Sequence, residues 1–359
     1  MTRLTGSDGE PALAILGPQA TSLVKELDRV FTGWGLADGA EEISAPPLFP
    51  VTDLEKFDVY TNFPHLAWVA GSLELTEDQF KPVDGRFGPG TVTEARYGLP
   101  HATCYGAYLF HEGGQVADDS LVTLVNRCFR NEDHYSGLRR LASFQMREIV
   151  ALGSFDHTQQ VLARFTGRIQ AFAGALGIEL GRAAAGDPFF RNDNGRALMQ
   201  KLSPVKYEFQ YGDLAIASVN THRNFFGERC SIRLESGEHA YTSCVAFGLE
   251  RWLAVLTEHF DADLDAALAA VRIAAPDAAR GPAPDAVRGA VPDAARTAAP
   301  DAVRTAAPDA ARDPAPDAVR TAAPDAVRTA APDAARTAAP DAVRTAAPAA
   351  AVRTAAEPS

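Results

Sequence analysis

Cysteine is scarce in this chain of 359 residues: there are four, Cys104, Cys128, Cys230 and Cys244, and no two are close in sequence. That excludes the disulfide framework of a small secreted domain and the paired-cysteine spacing of a zinc finger. On spacing alone each thiol reads as a small buried hydrophobe. Long hydrophobic runs are missing too. None approaches bilayer-spanning length, and the polar N-terminus MTRLTGSDGEPA contains no apolar leader core, so the expected location is the cytoplasm, with no membrane partner. Positive charge is in short supply: 34 Lys and Arg face 46 Asp and Glu, a formal net charge of -12. A general nucleic-acid-binding face needs the opposite balance. No heptad pattern occurs, so no coiled coil is expected.

The last part of the chain lacks even more. From Pro276 it becomes an octapeptide array (PDAARGPA, PDAVRGAV, PDAARTAA, PDAVRTAA and onward) with no aromatic residue, no Leu and no Ile. Proline at every eighth position breaks a helix longer than about two turns. The period matches no solenoid unit with its own apolar face. Residues 276–359 therefore read as a disordered repeat tail. The tail carries eleven acids against ten arginines, so nearly all the negative charge, about -11, falls on residues 1–275. A flexible segment over residues 1–12 precedes a compact domain over residues 13–275. Its roughly 260 residues are enough for one large core.

The richest stretch runs from Val125 to Leu152, VNRCFRNEDHYSGLRRLASFQMREIVAL. LVTLVNRCFR and MREIVAL are apolar and β-prone, and NEDHYSG between them supplies turn residues. The resulting hairpin carries Arg130 and Glu132 on one arm, Arg140 at the loop exit, and Phe144 and Glu148 on the other arm. Arginine forks suit phosphate oxygens, an aromatic face suits adenine, and a carboxylate accepts from an amino group. With DLAIASVN and AYTSCVAF as further strands, the fold class is α+β with an antiparallel sheet.

Phe129-Arg130-Asn131-Glu132, then Gly137-Leu138-Arg139-Arg140, then Phe144 resembles motif 2 of class II aminoacyl-tRNA synthetases, most closely the seryl type. The resemblance implies a class II sheet flanked by helices and built as a homodimer. It implies that Arg130 holds the α-phosphate of ATP and Phe144 stacks on adenine, with Glu132 and Arg140 on the adenine and outer phosphates. SCVAFGLERWLAVL resembles motif 3, which would set Arg251 against the β- and γ-phosphates. Ala20 to Trp34 and the following GLADGAEEISAPPLFP resemble motif 1, with Pro46 or Pro47 as its proline. Lys206-Tyr207-Glu208 and Ser218 match a strand pair that helps hold ATP and Mg2+ in the seryl family. Here Gln210 stands where that pattern has a carboxylate, so either Glu208 serves in its place or the metal is held mainly by the phosphates; read without the resemblance, Lys206 and Glu208 are equally well strand-surface charges. His222, in SVNTHRNFFG, reads as structural, since adenylate formation needs no base.

The zinc-dependent branch of the seryl enzymes binds one catalytic Zn2+ per subunit through two Cys and one Glu. By resemblance, Cys104 takes the place of a Cys on a strand before motif 2, Glu148 that of the Glu four residues after the stacking Phe, and Cys244 that of the Cys before motif 3. Cys128 and Cys230 remain packing residues. Three protein ligands leave the fourth position open for the substrate's amino group. The tRNA-holding coiled-coil arm of the seryl enzymes has no match in this sequence. A zinc-type seryl site without that arm resembles the amino acid:carrier protein ligases, over roughly Leu13 to Phe260. That family activates glycine or alanine with ATP and passes the aminoacyl group to the phosphopantetheine thiol of a small carrier protein, without tRNA. Glycine has no side chain to read, so binding its amine to a metal in a tight pocket is a coherent recognition device.

Three other readings compete. A seryl-tRNA synthetase is disfavoured by the missing arm and the acidic domain. A non-catalytic paralogue acting as a regulatory or binding subunit is disfavoured by the presence of Arg130, Arg140 and Arg251. A free-standing ligase joining an amino acid to another small nucleophile also fits. Because the array buries nothing and lies beyond motif 3, a chain ending near Ala275 should keep full ATP–pyrophosphate exchange; loss of exchange on truncation would give the array a role in catalysis.

Overall fold

The structure, a computed structural model, describes residues 12–74, 81–88, 90–186 and 205–279. Helix α1 (Pro18–Ala37) and strand β1 (Glu41–Glu42) come first. Short elements follow: β2 (Phe49–Pro50), α2 (Val51–Lys56), α3 (Val59–Asn62), β3 (Trp68–Ala70), β4 (Tyr97–Leu99), α4 (Tyr105–Phe110) and β5 (Gln115–Val116). The long hairpin β6 (Asp119–Phe129) and β7 (Ser143–Gly153) leads into α5 (Phe155–Ala175), β8 (Gly181–Ala185), β9 (Lys206–Tyr211) and β10 (Leu214–Arg223). The chain continues through α6 (Phe225–Arg229), β11 (Arg233–Leu234), β12 (Tyr241–Gly248), α7 (Leu249–His259) and α8 (Leu264–Ala279).

Seven strands form the main sheet in the order β1-β6-β7-β12-β10-β9-β8. Every neighbouring pair is antiparallel except β1 with β6, which is parallel. Strand alternation gives the sheet two different faces. Ile149, Ala151, Val245 and Phe247 point to one face, where α1, α5 and α7 cover them and α8 packs on those helices. Val122, Leu124, Val150, Leu152 and Cys244 belong to the opposite face, with α4 and α6.

Local sequence accounts for the covering helices. Leu23, Val24, Leu27, Val30, Phe31 and Trp34 recur at helical spacing and are all buried on α1, which starts on Pro18. Ser154 caps α5 by accepting from the His157 N–H at 3.2 Å. Phe31 stacks on Phe247 with ring centroids 4.1 Å apart, joining α1 to β12. Gly106 lets α4 sit close on the sheet: a Cβ there would stand 2.6 Å from Ala45 Cβ and 3.0 Å from a Leu124 methyl.

One ion cluster ties the first segment to the hairpin. Arg147 of β7 is 2 % exposed; its Nε and Nη2 donate to the two carboxylate oxygens of Asp28 at 2.8 and 3.1 Å, and its Nη1 donates to Glu42 at 3.2 Å. Asp28 lies on α1 and Glu42 on β1, so the segment resembling motif 1 is fastened to the strand resembling the second arm of motif 2. The Pro46 carbonyl accepts from Asn126 Nδ2 of β6 at 2.9 Å, which ties the same segment to the other arm of the hairpin.

Two boundaries and one placement differ from the sequence reading. Ala12, assigned to a flexible N-terminus, is fully buried, and its carbonyl accepts from the Ala142 N–H at 2.8 Å. The motif 2 loop exposes a backbone donor that this carbonyl satisfies. Helix α8 runs to Ala279 and so takes in Pro276, the first proline of the array. A proline removes only one helix hydrogen bond, a loss offset by the burial of Ala267, Val271 and Ala274 on the preceding turns. Cys104 is not on a strand; it is the residue before α4, whose buried Tyr105, Ala107 and Tyr108 drive helix formation against the sheet. Residues 1–11 and 280–359 lie outside the described residues.

Asp28→Ala should leave the Arg147 guanidinium buried without its two-oxygen partner and cost about 3 kcal/mol. Urea denaturation measures it; a loss under about 0.5 kcal/mol would place the Arg147 cluster among ordinary surface pairs.

Candidate active site

A cavity of about 540 Å3 opens on the sheet face opposite the large helices. Arg130, Phe144, Glu148, Lys206, Glu208, Ser218, Arg251, Cys104 and Cys244 all line it. The strand register brings them there. Phe144, Met146 and Glu148 alternate along β7, Cys244 and Ala246 along β12, and Ser218 and Asn220 along β10, with Glu148 opposite Ala246, Ser218 opposite both Ala246 and Glu208, and Asn220 opposite Cys244. Glu132 and Arg140 are set apart. They pair with each other at 2.5 Å and flank a small crevice that shares Phe144, Gly248 and Arg251 with the main cavity.

One half of the cavity is basic. Arg130 donates from Nε and Nη2 to the His101 carbonyl at 3.3 and 3.2 Å, and its guanidinium lies 5.0 Å from the centre of the Phe144 ring. Arg251 is held by the carbonyls of Arg139 and Ala215, each at 3.0 Å. Burial, and then the charges of Arg130 and Arg140, lower its pKa to about 10. Cations gathered against their own repulsion make a favourable site for a polyanion. Across the cavity, Lys206 and Glu208 pair at 3.1 Å.

The other half is a buried acid cluster. The donor atoms of Cys104, Glu148 and Cys244 lie within 4.8 Å of one another, and all three residues are buried. Glu148 Oε1 accepts from the Thr103 N–H at 3.1 Å, while Oε2 is buried with no hydrogen-bond partner. Burial raises the Glu148 pKa. The hydrogen bond with Cys244, then burial, raises that of Cys104 well above the usual thiol range. At Cys244 the hydrogen bond with Cys104 lowers the pKa, but burial and the Glu148 charge outweigh it and the net direction is up. All three acids are shifted toward holding their protons, and a divalent cation placed among them would draw the protons off and make them anionic ligands. Two soft thiolates and one carboxylate suit zinc, so the donor set and the orphaned Glu148 oxygen fit that metal.

Residues that the motifs did not single out surround the cluster. Asn220 Nδ2 donates to Cys244 Sγ at 3.3 Å and to Ser218 Oγ at 3.1 Å. His222, read as structural, is bonded through Nδ1 to the Tyr108 hydroxyl at 3.0 Å, and it also lines the cavity with Nε2 3.7 Å from Cys244 Sγ. Strand alternation carried the signal for both: once Ser218 faces the cavity, Asn220 and His222 follow at period two. No pattern flagged Tyr108, because α4 was not anticipated. Cys128 and Cys230 pack in the core, 0 % and 1 % exposed.

Comparison with known proteins follows the same line. Amino acid–[acyl-carrier-protein] ligase 1 of Bradyrhizobium diazoefficiens is 33% identical over 281 residues, which cover 74% of this chain and 85% of that protein. The chain belongs to the amino acid–[acyl-carrier-protein] ligase family. It is therefore a ligase. Ligase 2 of the same organism is 33% identical over 233 residues, 61% of this chain and 69% of that protein. The type-2 serine–tRNA ligase of Methanocaldococcus jannaschii is 26% identical over 173 residues, 44% of this chain and 33% of its own length. No family model matches. Among solved structures, M. kandleri SerRS in complex with A. aeolicus tRNASec superposes with a TM-score of 0.56 at 18% identity, covering 68% of this chain and 52% of that one. Pyrococcus horikoshii seryl-tRNA synthetase complexed with ATP gives 0.51 at 13% identity, covering 69% and 53%. The fold is thus the class II synthetase fold, and the chain spans about half the length of those synthetases. Among the described residues no helix is long and apolar enough to cross a membrane.

His101 gives the site a pH signature. It is buried with Nε2 at 3.0 Å from the Tyr105 hydroxyl, and burial, then the Arg130 charge, lowers its pKa from 6.5 to about 3. Between those values the unfolded chain takes up a proton that the fold refuses. This contribution to stability is therefore complete above pH 6.5 and is lost as pH falls toward 3. In urea denaturation at pH 7 and pH 5, His101→Gln should show a smaller drop in midpoint than wild type; an equal drop would contradict the assignment.

Proposed function

We propose that this ligase activates a small amino acid, glycine or alanine, as its aminoacyl-adenylate and transfers the aminoacyl group to the phosphopantetheine thiol of a small carrier protein. The observation that carries the proposal is the union, in one cavity of about 540 Å3, of the Cys104–Glu148–Cys244 cluster with Arg130, Phe144 and Arg251. The names of the two Bradyrhizobium relatives support the carrier protein as acceptor. In this reading the enzyme works in the cytoplasm as a homodimer.

Each residue then has a task. Arg130 neutralises the α-phosphate while the substrate carboxylate attacks phosphorus and pyrophosphate leaves. Arg251 takes the outer phosphates. Phe144 stacks on adenine, with Glu132 and Arg140 at its edge. Lys206, Glu208 and Ser218 flank the triphosphate, where Glu208 and Ser218 would hold Mg2+. One zinc ion per subunit, held by Cys104, Glu148 and Cys244, would supply a Lewis-acid anchor for the substrate's amino group. Such chemistry asks little covalent help of the protein; positioning and charge neutralisation dominate. The thiol of the carrier arm then loses its proton to solvent and attacks the adenylate carbonyl; the new C–S bond forms, the C–O bond of the mixed anhydride breaks, and AMP departs with that oxygen.

The sequence similarity to type-2 serine–tRNA ligases supports a second reading, activation of serine for tRNA. Acceptor and exchange assays separate the two. Glycine- or alanine-dependent ATP–pyrophosphate exchange with aminoacylation of a phosphopantetheinylated carrier is the expected result. Exchange with serine alone and charging of tRNA would replace the proposal with the second reading. Arg130→Ala should reduce exchange by about 10²–10³-fold while the protein stays folded. Cys104→Ala should abolish amino-acid activation and leave ATP binding in place; a fully active, zinc-free preparation would remove the metal.

A further inference from the structure

We propose that Asn220 is a positioning residue for the metal cluster: its side-chain amide orients Cys244 as a ligand and ties it to Ser218. The proposal rests on the zinc reading above. Asn220 stands on β10 directly opposite Cys244 of β12. Its Nδ2 donates to Cys244 Sγ at 3.3 Å and to Ser218 Oγ at 3.1 Å. One NH2 group has two hydrogens, and these two acceptors use both.

Donor and acceptor chemistry fixes the sense of the contact. A metal-bound thiolate can only accept a hydrogen bond. The amide oxygen of Asn220 would therefore repel it, whereas the NH2 group suits it. Cys104 and Glu148 each sit next to rigid backbone, one at the start of α4 and the other in the middle of β7, where Thr103 N–H holds the Glu148 carboxylate. Apart from its neighbours in the cluster, Cys244 meets two polar side chains, Asn220 at 3.3 Å and His222 Nε2 at 3.7 Å. The shorter contact belongs to Asn220, whose register opposite Cys244 is set by the regular β10–β12 pairing that holds up to Thr221. Outer hydrogen bonds of this kind orient metal ligands and tune the electron density on them. Through Ser218 the same amide reaches the part of the cavity assigned to the triphosphate.

The test is made on the full-length protein with the metal alone as probe. Zinc affinity is measured by chelator competition for wild type, Asn220→Ala and Asn220→Asp. Asn220→Asp keeps the shape and replaces the donor by an acceptor, which guards against a packing defect in the alanine variant. Both variants should bind zinc about 10–100-fold more weakly than wild type. In the cobalt-substituted protein the thiolate-to-cobalt charge-transfer band should move to longer wavelength in Asn220→Ala, because a sulfur freed of its hydrogen bond gives up an electron more easily. Unchanged zinc affinity in both variants with an unmoved cobalt band would overturn the role of Asn220 and leave the metal reading intact. Wild-type protein that binds neither zinc nor cobalt would overturn the metal reading, and this proposal with it.

Discussion

The register of β7 is the constraint on which the rest of the site depends. Arg147 and Glu148 are adjacent, so strand geometry sends them to opposite faces of the sheet. Arg147 is locked on the helix side by Asp28 and Glu42. Glu148 is thereby directed to the cavity side, beside Cys104 and Cys244. A slip of one residue would exchange them, burying a guanidinium among thiols and turning the carboxylate toward Asp28. The two arrangements differ by two misplaced buried charges, so the ion cluster at the back of the sheet defines the front.

The same sheet joins two electrostatically opposite half-sites. A buried cluster of acids lies on β7, on β12 and just before α4, and a set of arginines lies at the end of β6, in the loop before β7 and on α7. The domain carries excess negative charge, yet burial and then the nearby charges of Arg130 and Arg140 depress the Arg251 pKa. Each half is unfavourable by itself. The acids lack a cation, and the cations lack an anion. In the proposed function a nucleotide and a metal would relieve both, so what binds in the cavity would also settle its electrostatics.

The hairpin was legible in the sequence because its signals are local. Apolar alternation marks β6 and β7, turn residues mark the loop, and Arg130, Glu132, Arg140, Phe144 and Glu148 keep fixed spacing along one short stretch. Four strands of the antiparallel sheet were legible by the same kind of signal, whereas the full set of seven and their order were not. The environment of Cys104 was not legible: α4 is six residues long and exists because Gly106 lets it rest on β6. The pairing of Arg147 with Asp28 spans 119 residues and leaves no local trace. Ala12 looked like a loose end because a single long-range backbone bond cannot be read from composition.

By itself the sequence determined the class of fold, the family resemblance and the chemical types gathered at the site, since periodicity and motif spacing are properties of short segments. Tertiary structure alone decided how Cys104, Glu148 and Cys244 come within ligand distance of each other. It also set Glu132 and Arg140 outside the main cavity and brought Asn220 and His222 into contact with Cys244. Those are relations between segments distant in sequence. They are fixed by strand order, register and packing, which depend on the whole core being buried at once.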